Sequence, residues 1–480
     1  MMKKRKYCGW LVVVLLSCST IYAQNINEKL HTDTDTVTAA NNHLFTVGNV
    51  NITGNTKTKD FIMLREIPFK KGDQYTLPVL IVKFEDARRQ LMNTTLFHSV
   101  VVAADSFLGE TVNVSVTVKE RWYLFPAPYF KPVDRNLNQW IVQQKASLKR
   151  VEYGAKLYYY NATGRNDKLK FLFINGYTKQ LSFSYDRLYI DKKLKWGMKT
   201  GFAAGKNREI NYNTINDKQV FYKDNDNFVG SFLNTYAELT YRRAIRTRHS
   251  FGVGYTEREV GDTIIKINPD FLTTGKTRVK YPGIFYTMGY YDLDYNAYPT
   301  KGYAAELNFG KRGFNKSFNI WEFHLKGTGN WHLWPKMFLN VTTYGGIKFP
   351  FRQPYVNQRF LGFGDIFLQG YEYYVMDGAA GGFLKSSINR ELINIKIRIP
   401  PVKKGKEAQH IPFRVYGKVF GNTGYVYNPK PGENRLLNRM LYSGGFGIDI
   451  ITFYDIIFKL EWSFNQLGEN GLFLHRKSIF

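Results

Sequence analysis

Along most of this chain, hydrophobic and polar positions trade places at every second residue. Phe251, Val253 and Tyr255 alternate with Ser250, Gly252 and Gly254, and Tyr303, Ala305, Leu307 and Phe309 with Glu306, Asn308 and Gly310. Trp321, Phe323 and Leu325 alternate with Glu322, His324 and Lys326; Ile393, Ile395, Ile397 and Ile399 with Asn394, Lys396 and Arg398; and Phe458, Leu460, Trp462 and Phe464 with Lys459, Glu461, Ser463 and Asn465. A period of two predicts extended strands with one apolar and one polar face. The pattern sets in near Pro126 and continues to the C-terminus.

Residues 44–125 read differently. A strand, FTVGNVNI, ends at the turn Thr53-Gly54-Asn55, and a helical segment follows with Phe61, Leu64 and Ile67 on one face. Lys71-Gly72-Asp73 breaks it. A second helix turns Leu80, Phe84, Ala87 and Leu91 inward and Glu85, Arg88 and Arg89 to water. Two strands close the unit, the last alternating Val112, Val114, Val116 and Val118 with polar residues. This predicts a small α+β domain of order β-α-α-β-β with a free strand edge.

Alternation fits a soluble sandwich as well as a membrane barrel, and loop length separates the two. Connections near 134–149, 206–228, 259–278 and 350–382 are long, those near 176–178, 243–247 and 332–336 short, and the longer ones fall mostly on odd-numbered connections. Fifteen connections join about sixteen strands, and an even count puts both chain ends on one side of the membrane. After the leader no apolar run reaches the roughly twenty residues of a membrane helix. Yet aromatics make up 16% of a chain whose mean hydropathy is only −0.35. A barrel combines the two, because polar lumen residues cancel lipid-facing ones in the average. The prediction is therefore a mainly β protein, a transmembrane antiparallel β-barrel over residues 126–480, with the small domain on its periplasmic side.

The N-terminus places the chain in an export pathway. Lys3, Lys4, Arg5 and Lys6 precede an apolar stretch from Trp10 to Leu16, and residues 1–23 read as a signal peptide cleaved after Ala23. Leu15-Leu16-Ser17-Cys18 also resembles a lipoprotein cleavage box, which would leave Cys18 lipidated. Cleavage after Ala23 removes both cysteines, Cys8 and Cys18, so neither disulfides nor thiolate metal sites are expected. Residues 24–43 are polar and aperiodic, a flexible linker. Removing the four leader cations from the net charge of +28 leaves +24. Export and the scatter of the basic residues argue against nucleic acid, and outer-membrane lipid or lipopolysaccharide phosphates are the expected anionic partners.

Ile52-Thr-Gly-Asn55, Lys70-Lys-Gly-Asp73, Leu96-Phe97 with Val100, and Lys119-Glu-Arg121, in this order, resemble a single POTRA domain. Further on, the stretch Asp292–Gly302, with Asp292, Asp294, Pro299 and Gly302, resembles the D-x-R-D-N…P-T-x-G hairpin of the BamA/TamA family of outer-membrane assembly factors. Arg359, Gly362 and Gly364, followed by Gln369, Gly370 and Tyr371, resemble that family's lumen loop R-F-x-x-G-G…V-R-G-Y. Phe420, Asn422 and Gly424 resemble the F-x-D-x-G strand that faces it, and the terminal aromatic Phe480 resembles the signal read by assembly machinery. The resemblance implies that loop 350–382 folds into the barrel and buries its aromatic rings there, Phe367, Tyr371, Tyr373 and Tyr374, with glycines allowing the tight path. The loop arginine is Gln369 here and the facing aspartate is Asn422. Replacing both members of a buried ion pair can be nearly neutral, so a direct Gln369–Asn422 amide contact is expected.

G-x-S-x-G, H-E-x-x-H and Walker motifs are all missing, and the eight histidines are dispersed, so neither catalysis, nor a cofactor, nor a metal site is expected. The family resemblance implies an assembly factor whose small domain receives client strands by edge addition and whose first-to-last strand seam aids insertion. The alternative is a translocator of the two-partner-secretion type using the lumen. A passive porin would leave the small domain without a purpose. Implied partners are unfolded outer-membrane or secreted clients, and accessory subunits where one POTRA unit is insufficient.

Overall fold

A computed structural model describes residues 43–132, 145–148, 151–187, 189–273, 275–315, 318–399 and 409–477. The leader, with Cys18, nearly all of the 24–43 linker and Phe480 lie outside the described residues.

The N-terminal domain runs β1 (Leu44–Thr53), α1 (Asp60–Leu64), β2 (Gln74–Thr76), α2 (Leu77–Asn93), β3 (Phe97–Leu108) and β4 (Thr111–Glu120). Its sheet has the order β2-β1-β4-β3, with β1 parallel to β4 and the other pairs antiparallel. Val112, Val114, Val116 and Val118 point into one core with Leu80, Ala87 and Leu91 of α2, as the two periodicities predict. The short strand β2 was hidden in the break between the helices. The α1 face is corrected as well: Ile62 and Met63 are buried, whereas Leu64 is exposed and Phe61 only partly covered. A helix of five residues has too few turns for its period to show which side is inward. Arg89 is also turned from bulk water, toward Asp86 and Asp292.

Sixteen strands then form one antiparallel sheet. They are β5 (Leu124–Pro132), β6 (Val151–Tyr160), β7 (Lys168–Gly176), β8 (Thr178–Arg187) and β9 (Trp196–Asn207), then, after a separate hairpin of β10 (Glu209–Ile215) and β11 (Lys218–Lys223), β12 (Gly230–Tyr241) and β13 (Thr247–Val260). A helix α3 (Asp262–Ile267) precedes β14 (Arg278–Leu293), β15 (Gly302–Asn315), β16 (Phe318–Trp334) and β17 (Met337–Phe349). Two short loop strands, β18 (Arg359–Leu361) and β19 (Met376–Asp377), come before β20 (Ala380–Ile399), β21 (Gln409–Tyr427), β22 (Leu441–Ile451), β23 (Ile457–Asn465) and β24 (Asn470–Lys477). Two connections that read as plain loops, 206–228 and 259–278, thus carry a hairpin and a helix.

The faces are inverted relative to a soluble protein. Phe251, Val253, Trp321, Phe323, Leu325, Leu460, Trp462 and Phe464 are exposed on the outside, while Glu461, Lys418 and Asp449 are buried within. Only lipid outside and a polar interior make that distribution favourable, so the strands cross a membrane. The sheet curls until the start of β5 comes beside the turn between β22 and β23. Arg121 and Trp122, just before β5, reach Asp455 and Tyr454 in the turn between β22 and β23, and the Phe125 and Tyr454 rings stand 5.2 Å apart. Among the described residues, however, no hydrogen-bonded ladder joins β5 to β24.

Candidate functional site at the lumen loop and the seam

Between β17 and β20 the chain turns inward. Arg359 and Leu361 pair with Asp377 and Met376, closing residues 362–375 into a hairpin-like excursion. Phe360, Leu361, Leu368, Tyr371, Tyr374 and Met376 form an apolar cluster with Tyr344 and Phe383 of the wall and Val426, Leu436 and Leu441. Burying so much apolar surface gives a long connection a fixed course that its own backbone could not supply. Tyr373 departs from the expected burial. It is 56% exposed, its ring 5.4 Å from that of Phe473 on β24, the edge strand of the sheet. Phe367 is half-buried, under the Lys385 ammonium at 4.3 Å and against His475.

Glycine sets the path at two points. Gly362 has φ +89° and Gly370 φ +88°, and a Cβ at Gly370 would stand 3.1 Å from the Ser443 Cβ. Gly424 on β21 leaves room for the Leu368 side chain, whose Cδ1 would lie 2.6 Å from an added Cβ. Loop and facing strand therefore meet at Leu368–Gly424. They do not meet at Gln369–Asn422. Gln369 Nε2 donates to Glu461 Oε1 on β23 at 3.0 Å, and Asn422 Nδ2 donates to Ser443 Oγ on the neighbouring strand at 3.1 Å. A carboxylate is the stronger acceptor, which accounts for the direction the glutamine takes. Glu461 also takes the Lys418 ammonium at 2.5 Å, and Lys418 reaches Asp449 at 2.5 Å. Tyr371 Oη donates to the Tyr442 carbonyl at 2.9 Å. Arg359 is exposed, its guanidinium over the Phe363 ring. Inside lies a cavity of about 1390 Å³ lined by Arg312, Glu322, His324, Lys385, Lys418 and Glu461 among others.

The 292–302 hairpin is elsewhere, at the periplasmic end. Asp294 accepts from Thr300 N at 3.0 Å, Thr300 Oγ1 at 2.6 Å and Lys301 N at 3.1 Å, and Gly302, φ +101°, would bring a Cβ 2.0 Å from the Asp292 carbonyl. Pro299 lies in the same turn, on the cavity wall. Asp292 faces Arg89 at 3.4 Å and Arg246 at 3.2 Å, so this hairpin is part of a docking surface for the small domain.

That surface went unseen in the sequence. Glu66 is buried with Arg242 of the β12–β13 turn, Oε2 to Nη2 2.6 Å, and Tyr189 Oη donates to its Oε1 at 3.1 Å. Arg121 pairs with Asp455 at 2.7 Å, Asn93 donates to the Leu293 carbonyl at 3.0 Å, and Asn161 to Thr58 at 2.9 Å. Glu120 ties β4 to the 56–58 turn, accepting from Thr56 Oγ1, Lys57 N and Thr58 N. Five turns of the barrel thus hold one small domain. Charges in a turn signal exposure by default, and nothing in the local pattern marks these as buried.

Residues 45–121 match the family model of POTRA, the surface antigen variable number repeat. Over 77 residues the chain is 32% identical to the outer membrane protein assembly factor BamA of Neorickettsia risticii (strain Illinois), a match that covers 16% of this chain and 10% of that relative. Among solved structures, CdiB from Escherichia coli is similar over 90% of this chain and 75% of its own, at TM-score 0.52 and 11% identity. CdiB from Acinetobacter baumannii is similar over 90% and 73%, at TM-score 0.50 and 11% identity. By architecture, then, this chain joins a POTRA domain on the periplasmic side to an outer-membrane β-barrel, and it is similar to BamA in that domain and to CdiB in its fold.

Proposed function

We propose that this protein assembles other proteins into the outer membrane. The observation that carries the reading is the seam: fifteen strand pairs are zipped by ladders, whereas among the described residues no ladder joins β5 to β24, and the start of β5 is held at the periplasmic rim by the β22–β23 turn. A sheet edge facing lipid is a template for another strand, and here the edge belongs to the barrel itself. The outer edge of β3, which has no partner strand among the described residues and exposes Val101, Phe107 and Leu108, offers a first template on the periplasmic side. A client strand would pass from one edge to the other without any chemical step, so the protein acts as a non-enzymatic machine. Unfolded clients, and lipopolysaccharide around the barrel, are the partners this reading requires.

The translocator reading needs the lumen to open. The loop is anchored to the wall by Gln369–Glu461, Tyr371–Tyr442 and its buried rings, which favours lateral insertion over passage through the interior. Depletion followed by outer-membrane proteomics tests the choice. Broad loss of barrel proteins is the expected result; loss of one secreted protein with barrels unchanged would refute insertion.

A further inference from the structure

Three side chains from three separate elements converge where the lumen loop meets the last strand. Glu372 comes from the loop, Glu461 from β23 and His475 from β24, with one ligand atom of each within 4.8 Å of the others. His475 Nε2 lies 3.2 Å from Glu372 Oε1 and 3.4 Å from Glu461 Oε2. Zinc bonds to imidazole nitrogen and carboxylate oxygen are about 2.0–2.1 Å, so the edge of a tetrahedron of such ligands is about 3.3–3.4 Å, the spacing of the two edges that His475 makes here. We propose that Glu372, Glu461 and His475 bind a zinc ion, with the fourth position open to the lumen.

The surroundings are built for it. The second oxygen of each carboxylate is held: Glu372 Oε2 accepts from Gly370 N at 2.8 Å, and Glu461 Oε1 accepts from Gln369 Nε2 and Lys418 Nζ. Fixing the outer oxygen aims the inner one, as the outer contacts of metal ligands do. The His475 ring is held between Phe367 and Phe473. Lys418 is shared between Asp449 and Glu461, and its single ammonium does not cancel these two carboxylates and Glu372. Lys385 lies on the Phe367 and Phe383 rings at 4.3 and 4.8 Å, and Lys459 stands two residues before Glu461 on the same inward face of β23. One imidazole with two carboxylates suits zinc better than calcium, which takes six to eight oxygens. The histidine spacing offered no hint of this site, because Glu372 lies 103 residues before His475 in the chain and only the inward fold of the loop unites them.

A metal here would clip the loop to the strand that borders the seam. The test uses the full mature chain in detergent, stripped of metal and titrated with zinc, with calcium as control, followed by calorimetry. One saturable zinc equivalent is expected, with affinity falling about tenfold or more in both His475→Ala and Glu372→Gln. Lys459→Gln, which leaves every ligand in place, is expected to bind zinc more tightly. Zinc should also raise the temperature at which the wild-type barrel loses its fast-migrating folded band, and leave His475→Ala unmoved. Absence of stoichiometric binding, or calcium binding as tightly as zinc, would overturn the site. Should the ligand variants not fold, unchanged affinity in Lys459→Gln overturns it equally.

Discussion

Gln369 donates its amide to Glu461, 3.0 Å away on β23. This contact ties the tip of the inward loop to the wall, beside the Lys418–Asp449 pair. A hydrogen bond to a charged acceptor contributes about 1.5–3 kcal/mol. Gln369→Ala is therefore expected to destabilise the barrel by that order and to lower the temperature of its heat-modifiability transition. Gln369→Arg retains a donor for Glu461 and should stay close to wild type; a loss as large as that of the alanine variant would contradict the assignment.

Gly370 meets two demands at once. Its φ is +88°, and an added Cβ would press the Ser443 Cβ and the Phe464 carbonyl. Gly370→Ala should cost about 1–3 kcal/mol from backbone strain alone. The same substitution at Gly364, with φ +59° and open space around it, relieves the crowding and serves as the comparison. Denaturant titration of the two variants measures the difference, which should favour Gly364→Ala.

Removing one partner of the buried Glu66–Arg242 pair strands the other charge. Arg242→Ala is expected to weaken POTRA docking by about 3–5 kcal/mol, whereas Glu66→Leu with Arg242→Met should cost much less. Limited proteolysis near Trp122, with barrel folding checked independently on gels, reads the release. Equal protection of wild type and Arg242→Ala would show that the pair holds nothing.

Acid should release the domain too. Burial pushes the Glu66 carboxyl up, but the charge and hydrogen bonds of Arg242, with Arg248 and Arg65 nearby, outweigh it and hold the group below its ordinary value of 4.5. A depressed carboxylate stabilises the docked state fully above that ordinary value, and the stabilisation is lost as pH falls from there through the lower docked value. Hydrogen exchange over residues 60–67 should therefore change little from neutral pH to about 5 and rise steeply below about 4. A rise confined to the range above pH ~5 would point to a group other than a carboxylate.

How much of this was legible depended on whether an element's signal is periodic. Strands such as Trp321–Leu325 and Phe458–Phe464 announced both their extent and their faces, since one side meets lipid and the other a polar interior without exception. The valines of β4 did the same for the POTRA sheet. The loop at 350–382 was legible from its ring content, because apolar rings in a connection require a place of burial. Its pairings were not. Gln369 had two amide or carboxylate partners within the same wall, and sequence carries no measure of which wall strand the loop tip meets. Tyr373 stayed exposed because it stands beside the edge strand, where no neighbouring wall covers it. Glu66, Arg121 and Arg242 were invisible for a different reason: their burial is produced by two domains meeting, and each taken alone sits in a polar turn.

The β10–β11 hairpin ends in a tight Asn216–Asp217 turn with both residues at positive φ. Asp217 accepts from the amides of Arg435 and Leu436, and its carbonyl takes the amide of Val375 in the lumen loop. One residue thus joins a surface hairpin, the β21–β22 connection and the inward loop. Displacing the interior segment pulls on the cell-surface apex, and a binder that grips residues 209–223 from outside would hold the interior segment still.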